Sequence, residues 1–298
     1  MALIRLTPRV WYTPPVAAGD RPALGLAAGC KAALLIDGGN SPAHVGELLT
    51  AAERLPIPPL KALCLTHWHW DHTFGAAGTG LPVTACRATA EKLEWMRGLS
   101  WTDEAIARRV AEGTEMEFCR ENILIEWPDN DRQIRIPAVA RTFDREEIID
   151  LGGLTARIFR VDSDHTPDCC VVQLVEEGVV FLGDSLYLNM DHQPWFRTAD
   201  RTRRLMETLL DLNARWYVPA HHGVYSGEEF AAFARQMLLL ARAAEGAETA
   251  GQAERRLSAL TGHGITEEER NGLAEFLAAR EHGPEEGKEV SSDGTGGI

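Results

Sequence analysis

LTHWHWDHTFG, residues 65–75, places His67, His69, Asp71 and His72 within six positions and threads Trp68 and Trp70 between them. The apolar run KALCL before it reads as a short buried strand, so the motif begins where a strand passes into a loop. In extended chain, residues two apart project to the same side, and the imidazoles of His67 and His69 can converge on one point. Asp71 and His72 form a second, offset pair, the arrangement needed when two cations sit ~3.5–4 Å apart. A single aspartate in a turn is usually a turn former. Four potential ligands in one short loop point instead to metal binding. Imidazole and carboxylate suit zinc, and also iron or manganese, better than calcium or copper(I), with zinc the leading expectation. By the same alternation the indoles face away from His67 and His69, with Trp68 expected in the core and Trp70 on the cleft wall.

Working outward, residues 2–36 alternate apolar stretches with Pro and Gly punctuation and read as successive strands ending at Asp37 in a glycine turn. Ser41 as N-cap, Pro42 at the first helical position and apolar Val45, Leu48, Leu49 and Ala52 predict a helix. LPVTAC is a further strand, and residues 87–125, rich in helix formers and free of proline, predict a helical insertion. Strand signals return in AVARTF, EEIIDLGGLTARIFRVD and CCVVQLVEEGVVFLGD, and helices are expected at 199–212 and 227–245 with WYVPAHHG between them. The expected organisation is a main domain over 1–245, a helical hairpin over 246–282 and a disordered tail over 283–298. The succession of strands and helices argues for a layered α/β (α+β) fold.

Composition narrows the function classes. Thirty basic residues against 44 acidic ones give a net charge of −14, which repels a phosphate backbone, so nucleic acid is not an expected partner. The short RTRR run at 201–204 reads as the solvated face of a helix. No stretch reaches the ~18 apolar residues that span a bilayer, and MALIRLTPRVWYTPP lacks the apolar core of a signal peptide, so a cytoplasmic location and no membrane partner are expected. Six cysteines without a CxxC pair read as reduced, mostly buried thiols. Cys169 and Cys170, adjacent in a strand, should face opposite ways.

Three further polar groups sit at strand ends: His165 in DSDHTPD, Asp184 in FLGDS, and His221 with His222 in VPAHHG. With THWHWDH, DHTPD, FLGD and VPAHHG in this order and spacing, the sequence over about residues 30–225 resembles the metallo-β-lactamase superfamily. The resemblance implies an αββα sandwich with the site at one edge between two sheets, here with the helical insertion and a C-terminal helical extension. It implies that His67, His69 and His165 bind one metal, that Asp71, His72 and His221 bind a second, and that Asp184 bridges them. Asp37, in LLIDGG, corresponds to an aspartate that orients ligands from behind. PAHH departs from the commoner Pro-Gly-His-Gly pattern, which leaves His222 as an alternative to His221. The 93 positions from His72 to His165 are long for compact members, and the helices at 87–125 are expected to cover the site as a lid or a dimer contact.

Two Zn2+ ions per chain would lower the pKa of a shared water toward ~7 and supply hydroxide at neutral pH. The resemblance implies a metallo-hydrolase, expected by analogy with members of similar layout to act on a carboxylic ester, thioester or lactone of a small-molecule substrate. Asp71 would orient the water and carry a proton, and Tyr187, three positions after Asp184, is either a donor to the developing oxyanion or a core aromatic. The alternatives are a mononuclear-iron persulfide oxygenase of the same fold and a phosphodiesterase. A homodimer, through the insertion or the Leu-rich stretch at 237–240, is a further expectation.

Overall fold

The computed structural model describes residues 2–190 and 193–281. Glycine and proline turns break the N-terminal apolar runs into the antiparallel strands β1 (Ile4–Thr7), β2 (Val10–Thr13), β3 (Leu24–Ala28) and β4 (Ala33–Ile36). Helix α1 (Pro42–Ala52) starts as expected, the Ser41 hydroxyl accepting the His44 N–H at 3.0 Å with Pro42 in the first turn. It crosses to β5 (Leu60–Cys64), parallel to β4. The single turn α2 (Trp70–Thr73) then carries the second half of the histidine motif. Strand β6 (Val83–Cys86) follows, parallel to β5.

The expected helical stretch is three helices, α3 (Arg87–Arg97), α4 (Asp103–Ala111) and α5 (Glu117–Glu126), before β7 (Val139–Phe143) adds parallel to β6. The second half forms β8 (Glu146–Asp150), β9 (Thr155–Arg160), β10 (Cys170–Leu174) and β11 (Val179–Gly183) as antiparallel neighbours. Helix α6 (Ala199–Asp211) crosses to β12 (Trp216–Pro219), parallel to β11, and β13 (Tyr225–Ser226) leads into α7 (Gly227–Ala244). The chain continues as the hairpin α8 (Ala250–Thr261) and α9 (Glu267–Ala278). The tail expected over 283–298 lies outside the described residues.

Among the described residues the strands make a seven-stranded sheet, β1 to β7 in sequential order, and a six-stranded sheet ordered β13-β12-β11-β10-β9-β8. Three apolar cores define four layers. Leu34, Ile36, Phe143, Ile158, Val172 and Phe181 pack between the sheets. Leu35, Leu48, Leu63, Leu93, Ile106 and Ile123 join the first sheet to α1 and the insertion. Val171, Leu182, Leu209, Phe230, Leu257 and Phe276 join the second sheet to α6, α7 and the hairpin. This is the αββα sandwich.

The insertion therefore contributes its own core side chains to one outer layer. The Leu-rich stretch is covered within the chain: Met237 and Leu240 are buried, Leu238 and Leu239 pack on the same core, and α8 and α9 lie against α7. Cys169 points to the helix side of its sheet and Cys170 between the sheets, as alternation requires. On α6, exposed Arg203 and half-buried Arg204 pair with Asp200, Glu207 and Asp162.

Candidate metal centre

Strands β4, β5 and β6 run parallel in one sheet and β11 and β12 in the other, and the site forms where their C-terminal ends meet. Backbone hydrogen bonds close that edge. Cys170 N–H donates to Thr66 O at 2.7 Å, Ala23 N–H to Ala220 O at 2.7 Å, and Ala220 N–H to Gly183 O at 3.1 Å. Gly183 has φ +50°, and a Cβ there would come within 2.6 Å of Thr66 Oγ1. Only glycine lets the strand carrying Asp184 approach the strand carrying His67 so closely.

Two groups of ligand atoms gather at this edge, each lying within 4.8 Å of one another: His67, His69, His165 and Asp184, and Asp71, His72, His221 and Asp184. All seven expected ligands are thus brought together, and Asp184 belongs to both groups. Its Oδ2 lies 3.7 Å from His67 Nε2, 3.4 Å from His165 Nε2 and 3.6 Å from His221 Nε2, while its Oδ1 lies 3.3 Å from His72 Nε2. Asp71 Oδ2 sits 3.1 Å from His72 Nε2 and 3.2 Å from His221 Nε2.

These are close approaches rather than hydrogen bonds. His67 Nε2, Asp71 Oδ2, His72 Nε2 and Asp184 Oδ1 are all buried without a hydrogen-bond partner. Four orphaned polar atoms converging in one place would be costly in a folded core. Nitrogen and carboxylate donors in two sets of four fit transition-metal cations, so the residues suit the ions that the motif implies.

Charge is polarised across the cluster. Burial, reinforced by neighbouring imidazoles, pushes His67 well below the usual imidazole value and His69 down to about 3, leaving both as neutral ligands. Burial opposes protonation of His72 and His221 too, but the Asp71 and Asp184 carboxylates raise both well above it. Burial alone would raise the Asp71 carboxyl, yet His72 and His221 hold it far below the carboxylate range.

Behind the ligands lies a set of orienting contacts. Asp37 Oδ2 pairs with His72 Nδ1 at 2.9 Å and accepts from Thr66 Oγ1 at 2.9 Å, and its Oδ1 accepts from Thr66 N–H at 2.8 Å. His165 Nδ1 faces Leu188 O at 3.1 Å. His221, not His222, reaches the cluster; His222 Nδ1 lies 2.5 Å from the Tyr187 hydroxyl, which also accepts from His221 N–H at 3.1 Å. Tyr187 is half-buried beside the His165 ring, its phenol pushed far up by burial and by Asp184, and so is not a core aromatic.

Two features escape sequence reasoning. Asp20, in the turn between β2 and β3, lies 3.2 Å from His221 Nδ1. A Gly-Asp turn some 200 positions before that histidine offers no local signal of the pairing. The tryptophan assignment is reversed: Trp70 is buried against Phe74 in the core, whereas half-buried Trp68 stacks edge-on to His69 at 4.6 Å. Alternation fails at that point because Trp70 opens the helical turn α2, where side chains no longer alternate.

The family model of the metallo-beta-lactamase superfamily matches residues 24–221, and the chain belongs to that superfamily. A metallo-beta-lactamase family protein from Thermus thermophilus has the same fold at 22% identity, with a TM-score of 0.58 over 94% of this chain and 95% of that one. The inverting sec-alkylsulfatase Pisa1 from Pseudomonas sp. superposes at 14% identity and a TM-score of 0.64, covering 99% of this chain and 52% of that one. A beta-lactamase domain protein from Burkholderia ambifaria gives 16% identity and a TM-score of 0.56 over 93% and 86%. No curated protein sequence matches the chain significantly. No helix among the described residues is long and apolar enough to cross a membrane.

Proposed function

We propose that this chain is a dinuclear metal-dependent hydrolase, with zinc the first candidate, that opens a carboxylic ester, thioester or lactone in a small-molecule substrate. The observation that carries the reading is the pair of four-residue ligand groups sharing Asp184, with four buried atoms lacking any protein partner. His67, His69 and His165 would hold one cation and Asp71, His72 and His221 the other. When bound, such a pair supplies Lewis acidity toward a carbonyl oxygen and brings the pKa of a water from 15.7 toward ~7.

The chain's own residues supply the rest. Asp71, kept anionic by His72 and His221, orients the nucleophile and carries its proton to the leaving group. Tyr187, whose phenol stays protonated, donates toward the oxygen on which negative charge develops. Asp37 and Asp20 fix the rings of His72 and His221 from behind. A complete second ligand group favours two cations over the single iron of a persulfide oxygenase.

The test is metal content by mass spectrometry on protein purified without chelator or affinity nickel, followed by a panel of esters, thioesters and lactones. Two metal ions per chain and turnover are expected. Asp184→Asn, which weakens both groups at once, should lose most of the metal and lower kcat/KM by about 10^3-fold or more, as loss of an essential electrostatic group does. Full metal occupancy and activity in that variant would refute the shared-ligand arrangement.

A further inference from the structure

A cavity of about 290 Å³ opens between α3 and the loop that carries His165. Ala88, Glu91, Lys92 and Trp95 line it from α3, and Pro167 and Asp168 from the loop. Trp68 links it to the metal ligands, with ring centroids 4.6 Å from His69 and 6.0 Å from Trp95, both edge-on. Trp95 is 50% exposed, a large apolar side chain left open to solvent on the wall of a groove.

Lys92 decides the chemistry of this groove. Its Nζ lies over both indoles, 5.2 Å from the Trp68 centroid and 5.7 Å from that of Trp95. Among the described residues it makes no ion pair, so its charge is held by ring faces and stays open to a ligand. Two acidic residues, Glu91 and Asp168, share the lining. Glu91, like Lys92, is exposed. Asp168 is buried, which raises its carboxyl, and one of its oxygens accepts from Thr89 Oγ1 at 2.7 Å.

We propose that this groove is the acyl subsite of the hydrolase and selects acyl chains that end in an anionic group, a carboxylate foremost; the proposal rests on the hydrolase reading above. The chain would lie along the indoles, gaining from burial of apolar area, and its far end would meet Lys92. Against a net charge of −14, the Lys92 ammonium gives an anionic chain end a favourable place. An extended alkyl chain covers about 1.2 Å per bond, from the same bond geometry that gives a peptide ~3.6 Å per residue. With 4.6 Å from the His69 ring to the Trp68 centroid and 5.2 Å from that centroid to the ammonium, a chain of about six carbons is of the right length for the span.

The metal-loaded enzyme is assayed with 4-nitrophenyl monoesters of succinate, glutarate and adipate, beside uncharged esters of equal chain length. Binding of adipic acid monoamide and of hexanamide is followed in parallel by tryptophan fluorescence. The adipate monoester should exceed its uncharged counterpart about tenfold or more in kcat/KM, chiefly through KM, and succinate should show no such advantage. Lys92→Glu should abolish the preference and favour the 6-aminohexanoate ester. Trp95→Ala should weaken both amides.

Equal rates for charged and uncharged esters, or a preference untouched by Lys92→Glu, would overturn the proposal. If no ester is turned over but the monoamide still binds in a Lys92-dependent way, the hydrolase reading falls and the anion-binding groove stands. If the monoamide does not bind either, both fall.

Discussion

At the scale of single residues, the motif is legible because ligand chemistry demands particular side chains at short spacing. His67, His69, Asp71 and His72 announce themselves within one loop, and His165, Asp184 and His221 follow at strand ends. Asp37 is the residue whose role the structure sharpens most. It adopts φ +61°, a left-handed conformation that Asp tolerates, and its two oxygens accept from Thr66 and meet His72 Nδ1. Asp37→Asn keeps the size but removes the charge that orients the His72 ring and favours its metal-binding tautomer. Metal affinity of the Asp71–His72–His221 group should fall about 10–100-fold, as loss of such a carboxylate does elsewhere, with the fold retained. Chelator competition should reveal it as one weakened metal and one unchanged metal per chain. Asp20 stays hidden because nothing in a Gly-Asp turn indicates which distant histidine it will meet.

At the scale of elements, α1 is legible down to its cap, since Ser41 and Pro42 are local signals. The same helix buries His44 completely, leaving its Nε2 without a partner. Burial, with the nearby Arg21 charge, pushes His44 down to about 3. Because the folded value lies below the unfolded one, the unfolded chain binds the extra proton as pH falls. His44 therefore costs nothing above pH ~6.5 and erodes stability progressively between there and its folded value, by up to about 1.4 kcal/mol per pH unit. Urea melts of wild type and His44→Asn from pH 7 to pH 5 should show the shallower pH slope in the variant, whatever its stability at pH 7. Parallel slopes would remove His44 as a source of acid sensitivity. The helical character of residues 87–125 is legible too, but its division into α3, α4 and α5 and their packing are not: periodicity marks an apolar face without saying which sheet will cover it.

For the whole molecule, the two sheets must meet closely enough for β5 and β11 to present their ends together. Phe181 is central to that contact. It is 3% exposed between the sheets, against Gly25, where a Cβ would come within 2.6 Å of its ring. Phe181→Ala should destabilise the protein by about 3–5 kcal/mol, the cost of a cavity where an aromatic ring was removed. Because Asp184 lies three positions further along, metal retention should fall in the same variant before unfolding does. Chemical denaturation alongside metal release measures both, and a stable variant that keeps its metal would show that the sheets are held elsewhere. The sequence by itself determined most of the elements, the histidine motif and the resemblance to the superfamily, because strand alternation, helix caps and the spacing of His67, His69, Asp71 and His72 are written in near neighbours. Only the tertiary structure decided that Asp20 backs His221, that His221 rather than His222 turns inward, and that Trp68, not Trp70, stands beside the ligands. Each depends on where separate strands end in space, which is set by packing of two sheets whose residues lie far apart in the chain.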